Sequence, residues 1–127
     1  MRFILQSFLL LNIIATATFA SAAEMQKSQP LNIPVRGMVT VVDLGANTCI
    51  PCKLMAPILE ELEKEYKGRA AVIFIDVWEN RDMSKAFRVV TIPTQIFYNK
   101  QGQEVYRHIG FFDKDSIKEK LDALIAE

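Results

Sequence analysis

The only two cysteines of the chain, Cys49 and Cys52, are the residues best placed by type and spacing to do chemistry. If a helix starts at this point, its free N–H groups and positive dipole end favour the thiolate of Cys49. Between the cysteines, Pro51 fits a first helical turn, where its missing N–H costs nothing. Cys52 then follows one turn later, close enough to form a disulfide with Cys49, and the pattern predicts a redox switch.

Three other uses of a cysteine pair fit the sequence less well. A structural staple that closes so short a loop removes little entropy from the unfolded chain and stabilises by only about 2 kcal/mol. A closed zinc site needs four ligands, and the only histidine, His108, is far along the chain. Covalent haem attachment needs a histidine directly after the second cysteine, where Lys53 stands. Redox chemistry is therefore the preferred interpretation.

The elements that must position the pair follow from apolar patterning. An apolar run over residues 38–44 predicts a buried strand before the cysteines. Residues 54–67 have the spacing of a helix, with Pro57 as a kink. A second apolar run over residues 70–77 predicts a parallel strand covered on both faces, which completes a βαβ unit. Further elements are a short helix over 80–87, strands over 95–99 and 104–109, and a last helix capped by Asp113 or Asp115.

The first 22 residues are typical of a signal peptide. Arg2 is their only charged residue, and the run that follows it is apolar. Ala20 and Ala22 place small residues at the two positions that a signal peptidase reads. The alternative is an uncleaved membrane anchor, but the strongly apolar stretch is short for a span of ~20 residues. We therefore predict a signal peptide over 1–22 and a flexible arm over 23–36.

Length and charge narrow the class of protein. A chain of 127 residues fits one folded domain, and half of its residues are apolar. Lysines and arginines number 15, as do aspartates and glutamates, so no basic field would attract nucleic acid. The sequence has no glycine-rich phosphate loop, so we expect no nucleotide or flavin cofactor and no metal. We also expect a monomer.

The motifs together resemble the thioredoxin superfamily. The run Cys-Ile-Pro-Cys-Lys at 49–53 is followed by Pro57, by Ile92-Pro93-Thr94 and by Gly110. The nearest likeness is to exported thioredoxin-like thiol–disulfide oxidoreductases of bacteria. The resemblance implies an α/β thioredoxin-like domain over 37–127. Its centre would be a mixed β-sheet of four to five strands, flanked by helices on both faces.

The resemblance also implies roles for individual residues. Cys49 would be the attacking thiol, and Cys52 the buried thiol that resolves the mixed disulfide. Pro93 would be a cis-proline opposite Cys49, with backbone that binds an extended substrate segment. Gly110 would keep the substrate groove open. Asp43, six residues before Cys49, matches a buried aspartate that takes the proton of the resolving thiol.

From the residues alone, Asp43 lies either on an exposed strand face or in the interior, where burial would raise its pKa. In thioredoxins a lysine often shares the pocket of this aspartate, and residues 72–75 offer no counterpart. Without such a cation we expect desolvation to dominate and to hold the pKa of Asp43 well above its ordinary value.

Trp78, the only tryptophan, follows the strand predicted over residues 70–77. That end of an open α/β sheet carries the ligand site, so we expect Trp78 near the cysteines. There it would replace the tryptophan that thioredoxins carry where Thr48 stands. The alternative is that Trp78 and one phenylalanine cap the core. The predicted substrate surface comprises Ile50, Pro51, Ile92, Pro93, Gly110 and Trp78, with further apolar area from Phe111 and Phe112.

Three function classes stay open within thiol chemistry. Ile92 before Pro93 and Lys53 after Cys52 match reducing members of the superfamily, which favours a reductase of protein disulfides. An oxidase or isomerase is the alternative, because the dipeptide between the cysteines influences redox potential and is Ile-Pro here rather than Gly-Pro. The third class is a non-enzymatic module that binds thiols or handles a metal.

The expected partners follow from the reductase interpretation. They are disulfide-containing proteins and, as electron donor in an oxidising compartment, an inner-membrane thiol reductant. Together with the signal segment, this predicts a protein of the bacterial periplasm. It would be soluble after cleavage of the segment, or attached to the membrane by its N-terminus if the segment is retained.

Overall fold

The computed structural model describes residues 32–127, which form four strands and three helices. None of these helices is long and apolar enough to cross a membrane. The signal peptide predicted over 1–22 and most of the arm predicted over 23–36 lie outside the described residues, so these boundaries stay predictions. In chain order the elements are β1 (Val39–Gly45), α1 (Ile50–Glu65), β2 (Ala70–Asp76), α2 (Arg81–Ala86), β3 (Thr94–Tyr98), β4 (Glu104–Ile109) and α3 (Lys114–Ala126).

The four strands form one mixed sheet in the order β2-β1-β3-β4. Strand β1 runs parallel to β2 and antiparallel to β3, and β4 pairs antiparallel with β3. A parallel pair requires a crossover connection, which α1 supplies between β1 and β2. The prediction of an α/β thioredoxin-like fold around a mixed sheet is confirmed, with four strands in the described part of the chain.

Helices cover both faces of the sheet. On one face, residues of α1 and α3 pack against Val39 and Val41 of β1. On the other face, Met83 of α2 packs in the cluster that contains Val42 and Leu44. The split follows from strand geometry, because successive side chains point to opposite faces. Every residue of β1 is buried, and this central strand leads directly to the cysteines.

Helix α1 begins earlier than the apolar spacing indicated, at Ile50 instead of residue 54. Cys49 is its N-cap residue, and its sulfur accepts the backbone N–H of Cys52. Pro51 lies in the first turn, as predicted, and Pro57 lies inside the helix. The cysteine motif is therefore itself the first turn of α1, which apolar periodicity alone does not reveal.

Helix α3 holds α1 in place from the same face of the sheet. Its N-cap is Asp113, and Asp115 lies in its first turn, which decides between the two predicted caps. The Oδ1 atom of Asp113 accepts the backbone N–H of Ser116 at 2.9 Å. Next to the cap, Lys114 forms an ion pair with Glu61 of α1 at 2.7 Å.

Candidate active site

Cys49 and Cys52 are joined by a disulfide at the N-terminal end of α1. Cys49 is half-buried, whereas Cys52 is only 3% exposed. The backbone N–H of Cys52 donates to the Sγ of Cys49 over 3.4 Å. This donor and the helix dipole both favour negative charge on Cys49 once the disulfide is reduced. An external disulfide can therefore reach Cys49, while Cys52 is left for an internal step.

Gly45, the last residue of β1, allows the helix to approach the sheet closely. A Cβ atom at this position would lie 3.2 Å from the Sγ of Cys52 and 3.1 Å from the ring of Phe74. Both distances are shorter than ordinary van der Waals contact, so a larger residue would displace the disulfide or the ring. Gly45 was not predicted as a site residue, since its place at the end of the apolar run was the only signal in the sequence.

Asp43 lies two residues before Gly45 and on the same face of β1, because alternate residues of a strand share a face. Its side chain is fully buried, which decides between the two alternatives that the sequence left open. The Nε2 atom of Gln95 donates a hydrogen bond to its Oδ1 atom at 2.6 Å. Burial raises the pKa of Asp43 to about 6, and the hydrogen bond from Gln95 opposes this rise. Desolvation therefore dominates, in the predicted direction.

The sheet register sets the neighbours of Asp43. Phe74 is its partner on β2, and Gln95 is its partner on β3. Phe74 is 41% exposed and lines a surface groove of about 340 Å³ together with Cys52. Among residues 32–127, no ion pair involves Asp43. Gln95 was not predicted as a site residue, because no local pattern in the sequence connects it with Asp43, 52 positions earlier.

A second carboxylate, Asp76 at the end of β2, fixes the loop that leads into the cysteines. Its Oδ2 atom accepts the N–H of Asn47 at 2.8 Å. Its Oδ1 atom accepts the N–H groups of Trp78 at 2.9 Å and Glu79 at 3.1 Å. These backbone hydrogen bonds, that of Asn47 above all, hold the pKa of Asp76 below its ordinary value. The sequence showed only that the strand ends in an acid.

Pro93 directly precedes β3 and Gly110 directly follows β4, so both lie at the same end of this antiparallel pair of strands. The Ile92–Pro93 peptide bond is cis, and the N–H of Gly110 donates to the carbonyl of Pro93 at 2.8 Å. Thr94, the next residue, pairs with Leu44 near the end of β1 that leads to the disulfide. Gly110 has a φ of 100°, in the left-handed region that favours glycine.

Trp78 is 57% exposed, so the alternative in which it caps the core does not hold. Trp78 and Ile92 line one surface cavity of about 620 Å³ beside α2. Neither cysteine lines that cavity, and the closeness of Trp78 to the disulfide stays a prediction. Ile50 is 75% exposed and Pro51 is also exposed, beside the half-buried Cys49.

The two phenylalanines after β4 differ in exposure. Phe111 is 46% exposed, but Phe112 is only 8% exposed. The ring of Phe112 packs on Phe97 and stacks on His108, with centroids 6.3 Å and 4.0 Å apart. The expectation that both residues add to the apolar surface is therefore wrong for Phe112, because its ring fills the core under α1 and α3.

Comparison with known proteins places this geometry in a family. The thioredoxin family model matches residues 23–123. Thioredoxins from several strains of Staphylococcus aureus are 42% identical to this chain over 88 residues, covering 69% of this chain and 84% of theirs. The chain belongs to the thioredoxin family. Chloroplastic thioredoxin z has a similar structure, with a TM-score of 0.65 and 34% identity over 72% of this chain and 82% of that one.

Membership of the thioredoxin family and the Cys49–Cys52 disulfide define the chemistry. The protein is a thiol–disulfide oxidoreductase, an enzyme that exchanges electrons with protein disulfides. Its partners are therefore disulfide-containing substrates and a reductant that restores the dithiol. Within residues 32–127, no group of three or more His, Cys, Asp or Glu side chains is arranged to hold a metal ion.

Proposed function

We propose that the protein reduces protein disulfides in the bacterial periplasm, by dithiol exchange through the Cys-Ile-Pro-Cys site at 49–52. The observation that carries this proposal is the unequal exposure of the two cysteines, with Cys49 half-buried and Cys52 buried. A reductase needs this order, because the first thiol must meet an external disulfide. The second must wait until the mixed disulfide has formed.

The reaction proceeds in two exchanges. The Cys49 thiolate attacks one sulfur of a substrate disulfide, whose S–S bond breaks, and the first substrate thiolate leaves and takes a proton from solvent. Cys52 then gives its proton to the Asp43 carboxylate, and its thiolate attacks the Sγ of Cys49. The mixed disulfide breaks, the second substrate thiolate leaves and is protonated, and the Cys49–Cys52 disulfide remains. Two electrons have passed from the enzyme to the substrate.

The substrate segment would bind along the apolar surface around Cys49. Ile50 is exposed next to the attacking thiol. Ile92 and Trp78 line a shared cavity beside α2, which would extend the binding surface. The backbone next to the cis-proline Pro93 would present main-chain groups to an extended chain, and Gly110, whose N–H is bonded to the Pro93 carbonyl, would keep the groove open. Exposed apolar surface of this kind marks interaction sites on soluble proteins.

A reductase in an oxidising compartment depends on a supply of electrons, so we assign an inner-membrane thiol reductant as the donor. Export by the signal peptide over 1–22 would bring the protein to that donor as a soluble monomer. Cell fractionation and the mass of the mature chain test this location. A periplasmic protein that begins at Ala23 is expected, and a full-length chain in the cytoplasm would contradict it.

The redox potential of the Cys49–Cys52 pair tests the direction of electron flow. Equilibration with glutathione should give a value near that of reducing thioredoxins, about −270 mV, far below the value of about −120 mV for a strong oxidant. A potential near the upper value would favour the oxidase or isomerase alternative. Tight metal binding without disulfide turnover would instead indicate a non-enzymatic module.

A further inference from the structure

Asp43 shares the interior with one hydrogen-bonding side chain, Gln95. Both side chains are fully buried, and the Nε2 atom of Gln95 donates to the Oδ1 atom of Asp43 at 2.6 Å. The remaining polar atom of each side chain, Oδ2 of Asp43 and Oε1 of Gln95, is an acceptor without a hydrogen-bond partner. Unpaired buried acceptors are costly and uncommon. One additional proton on this pair would supply the donor that it lacks.

No charged side chain forms an ion pair with either member of this pair in the described part of the chain. Phe74 flanks Asp43 on β2, and the described residues place no cation in an ion pair with Asp43. Gln95 is therefore the group that responds when Asp43 changes its charge. Charged and titratable groups on the surrounding elements include Lys53, Glu60 and Glu63, which line the groove beside Phe74, and His108, which lies opposite Gln95 on β4. On α3, Lys114 pairs with Glu61 and Glu65, and Lys118 pairs with Glu65.

We propose that Gln95 is a positioning residue for proton transfer, whose amide holds the Asp43 carboxyl in both of its protonation states. Toward the carboxylate, the amide N–H group of Gln95 donates, as the structure shows. When Asp43 is a carboxylic acid, the side-chain amide of Gln95 rotates and its Oε1 atom accepts a hydrogen bond from the new O–H. This is possible because an amide carries both donors and an acceptor. A lysine in this place could only donate, and would favour the charged form alone.

This inference rests on the reductase function proposed above and adds one step to it. The proton leaves the sulfur of Cys52 and binds a carboxylate oxygen of Asp43, while the Cys52 thiolate attacks Cys49. The O–H of Asp43 then donates to the amide oxygen of Gln95 until the proton returns to solvent. No electrons pass through Gln95, and no atom of its side chain is gained or lost.

Two substitutions at Gln95 should move the pH profile of resolution in opposite directions. Gln95→Met keeps a similar volume but removes both the donor and the acceptor. Because the hydrogen bond to the charged carboxylate is the stronger of the two, its loss dominates and the pKa of Asp43 rises. The midpoint for resolution of the mixed disulfide should then move up by about one to two pH units. Gln95→Lys supplies donors and a positive charge, so the midpoint should move to lower pH. If Gln95 had only a structural role, the two variants would not shift the pH midpoint in opposite directions.

The experiment measures formation and resolution of the mixed disulfide separately, by rapid quench from pH 5 to 9, with a small aromatic disulfide as substrate. Thr40→Val is the matched control, because Thr40 is a fully buried polar residue on the other face of β1. Its profile should match that of the wild type. Equal profiles for wild type and Gln95→Met, or shifts of both Gln95 variants in one direction, would overturn the proposal.

A second measurement needs no substitution and so does not depend on the variants folding. In the wild type, the side-chain amide resonances of Gln95 should titrate with the carboxyl of Asp43 at a common midpoint. Amide resonances that stay fixed while Asp43 titrates would contradict the role of Gln95. A wild-type protein that forms no mixed disulfide at all would instead refute the reductase function, which keeps the two failures distinct.

Discussion

Two carboxylates on neighbouring strands differ in their affinity for protons: Asp43 lies two residues before Gly45 on β1, and Asp76 is the partner of Gly45 on β2. Both are buried, but Asp43 receives one hydrogen bond from a side chain, whereas Asp76 accepts three from backbone N–H groups. Accordingly the pKa of Asp43 is raised to about 6, and that of Asp76 is held below its ordinary value. Burial raises the pKa of Asp43 against a single donor, whereas three backbone donors outweigh burial at Asp76 and keep that carboxylate charged.

Replacement of each carboxylate by its amide gives the largest expected contrast. Asp43→Asn removes the proton acceptor and should slow resolution of the mixed disulfide by about 100-fold. Formation of the mixed disulfide should keep its rate, because Cys49 attacks in that step. Rapid-quench kinetics at pH 7 measures both steps. Asp76→Asn is the matched control and should retain the resolution rate. If Asp43→Asn resolved the mixed disulfide at the wild-type rate, Asp43 would not be the proton acceptor for Cys52.

The dependence of stability on pH should have opposite signs at the two positions. The pKa of Asp43 is about 6 in the folded protein, against an ordinary value of 3.8. The stability that the bound proton contributes to folding is therefore full below pH 3.8 and is lost as the pH rises through 6. This difference of about two pKa units corresponds to about 3 kcal/mol in the free energy of unfolding. Asp43→Asn should therefore gain stability over the wild type as pH rises from 4 to 7.

Asp76 should behave in the reverse way, because its pKa is lowered in the folded state. Its contribution is present above the unfolded pKa and is lost as pH falls through the folded pKa. Asp76→Asn should therefore be most destabilised near neutral pH and approach the wild type in acid. Urea unfolding of the oxidised proteins at pH 7, at pH 4 and well below pH 3.8 measures both trends. Parallel changes in the two variants would break the comparison.

The contrast extends to the two thiols, since Cys52 lies over Gly45 on the Asp43 side of the sheet. A bulky alkylating reagent, added briefly to the reduced protein, should place most of its early adduct on Cys49. Peptide mapping by mass spectrometry identifies the labelled sulfur. Unfolded protein in denaturant is the control and should lose this preference. Early labelling of Cys52 would reverse the assigned roles.

The smallest expected effect is optical and concerns the Asp76 side of the site. A nearby disulfide quenches an indole, so reduction should brighten the emission of Trp78, the only tryptophan. Asp76 accepts the backbone N–H of Trp78 and so helps to position that residue. Asp76→Asn should therefore alter the fluorescence response, while Asp43→Asn should leave it unchanged. The double variant Cys49→Ser, Cys52→Ser is the control and should give no response. Identical emission from oxidised and reduced wild type would place Trp78 away from the disulfide.

The sequence predicted most of what is encoded locally. The apolar runs located the strands to within a residue or two, and the cysteine spacing identified the disulfide. The partners that tune Asp43 and Cys52 were missed, because they depend on long-range contact. Gln95 reaches Asp43 across 52 positions through the β1–β3 register. The significance of Gly45 emerges only when α1 packs against the sheet. Phe112 was misplaced because an apolar residue after a strand can face inward or outward.

The burial of the whole of β1 has a consequence for hydrogen exchange. Amides of a central, fully covered strand exchange only when the entire domain opens, whereas edges such as β4 fray more readily. Asp43, near the middle of this strand, therefore belongs to the last part of the fold to open. We expect the amide of the exposed Trp78 to exchange sooner than that of Asp43.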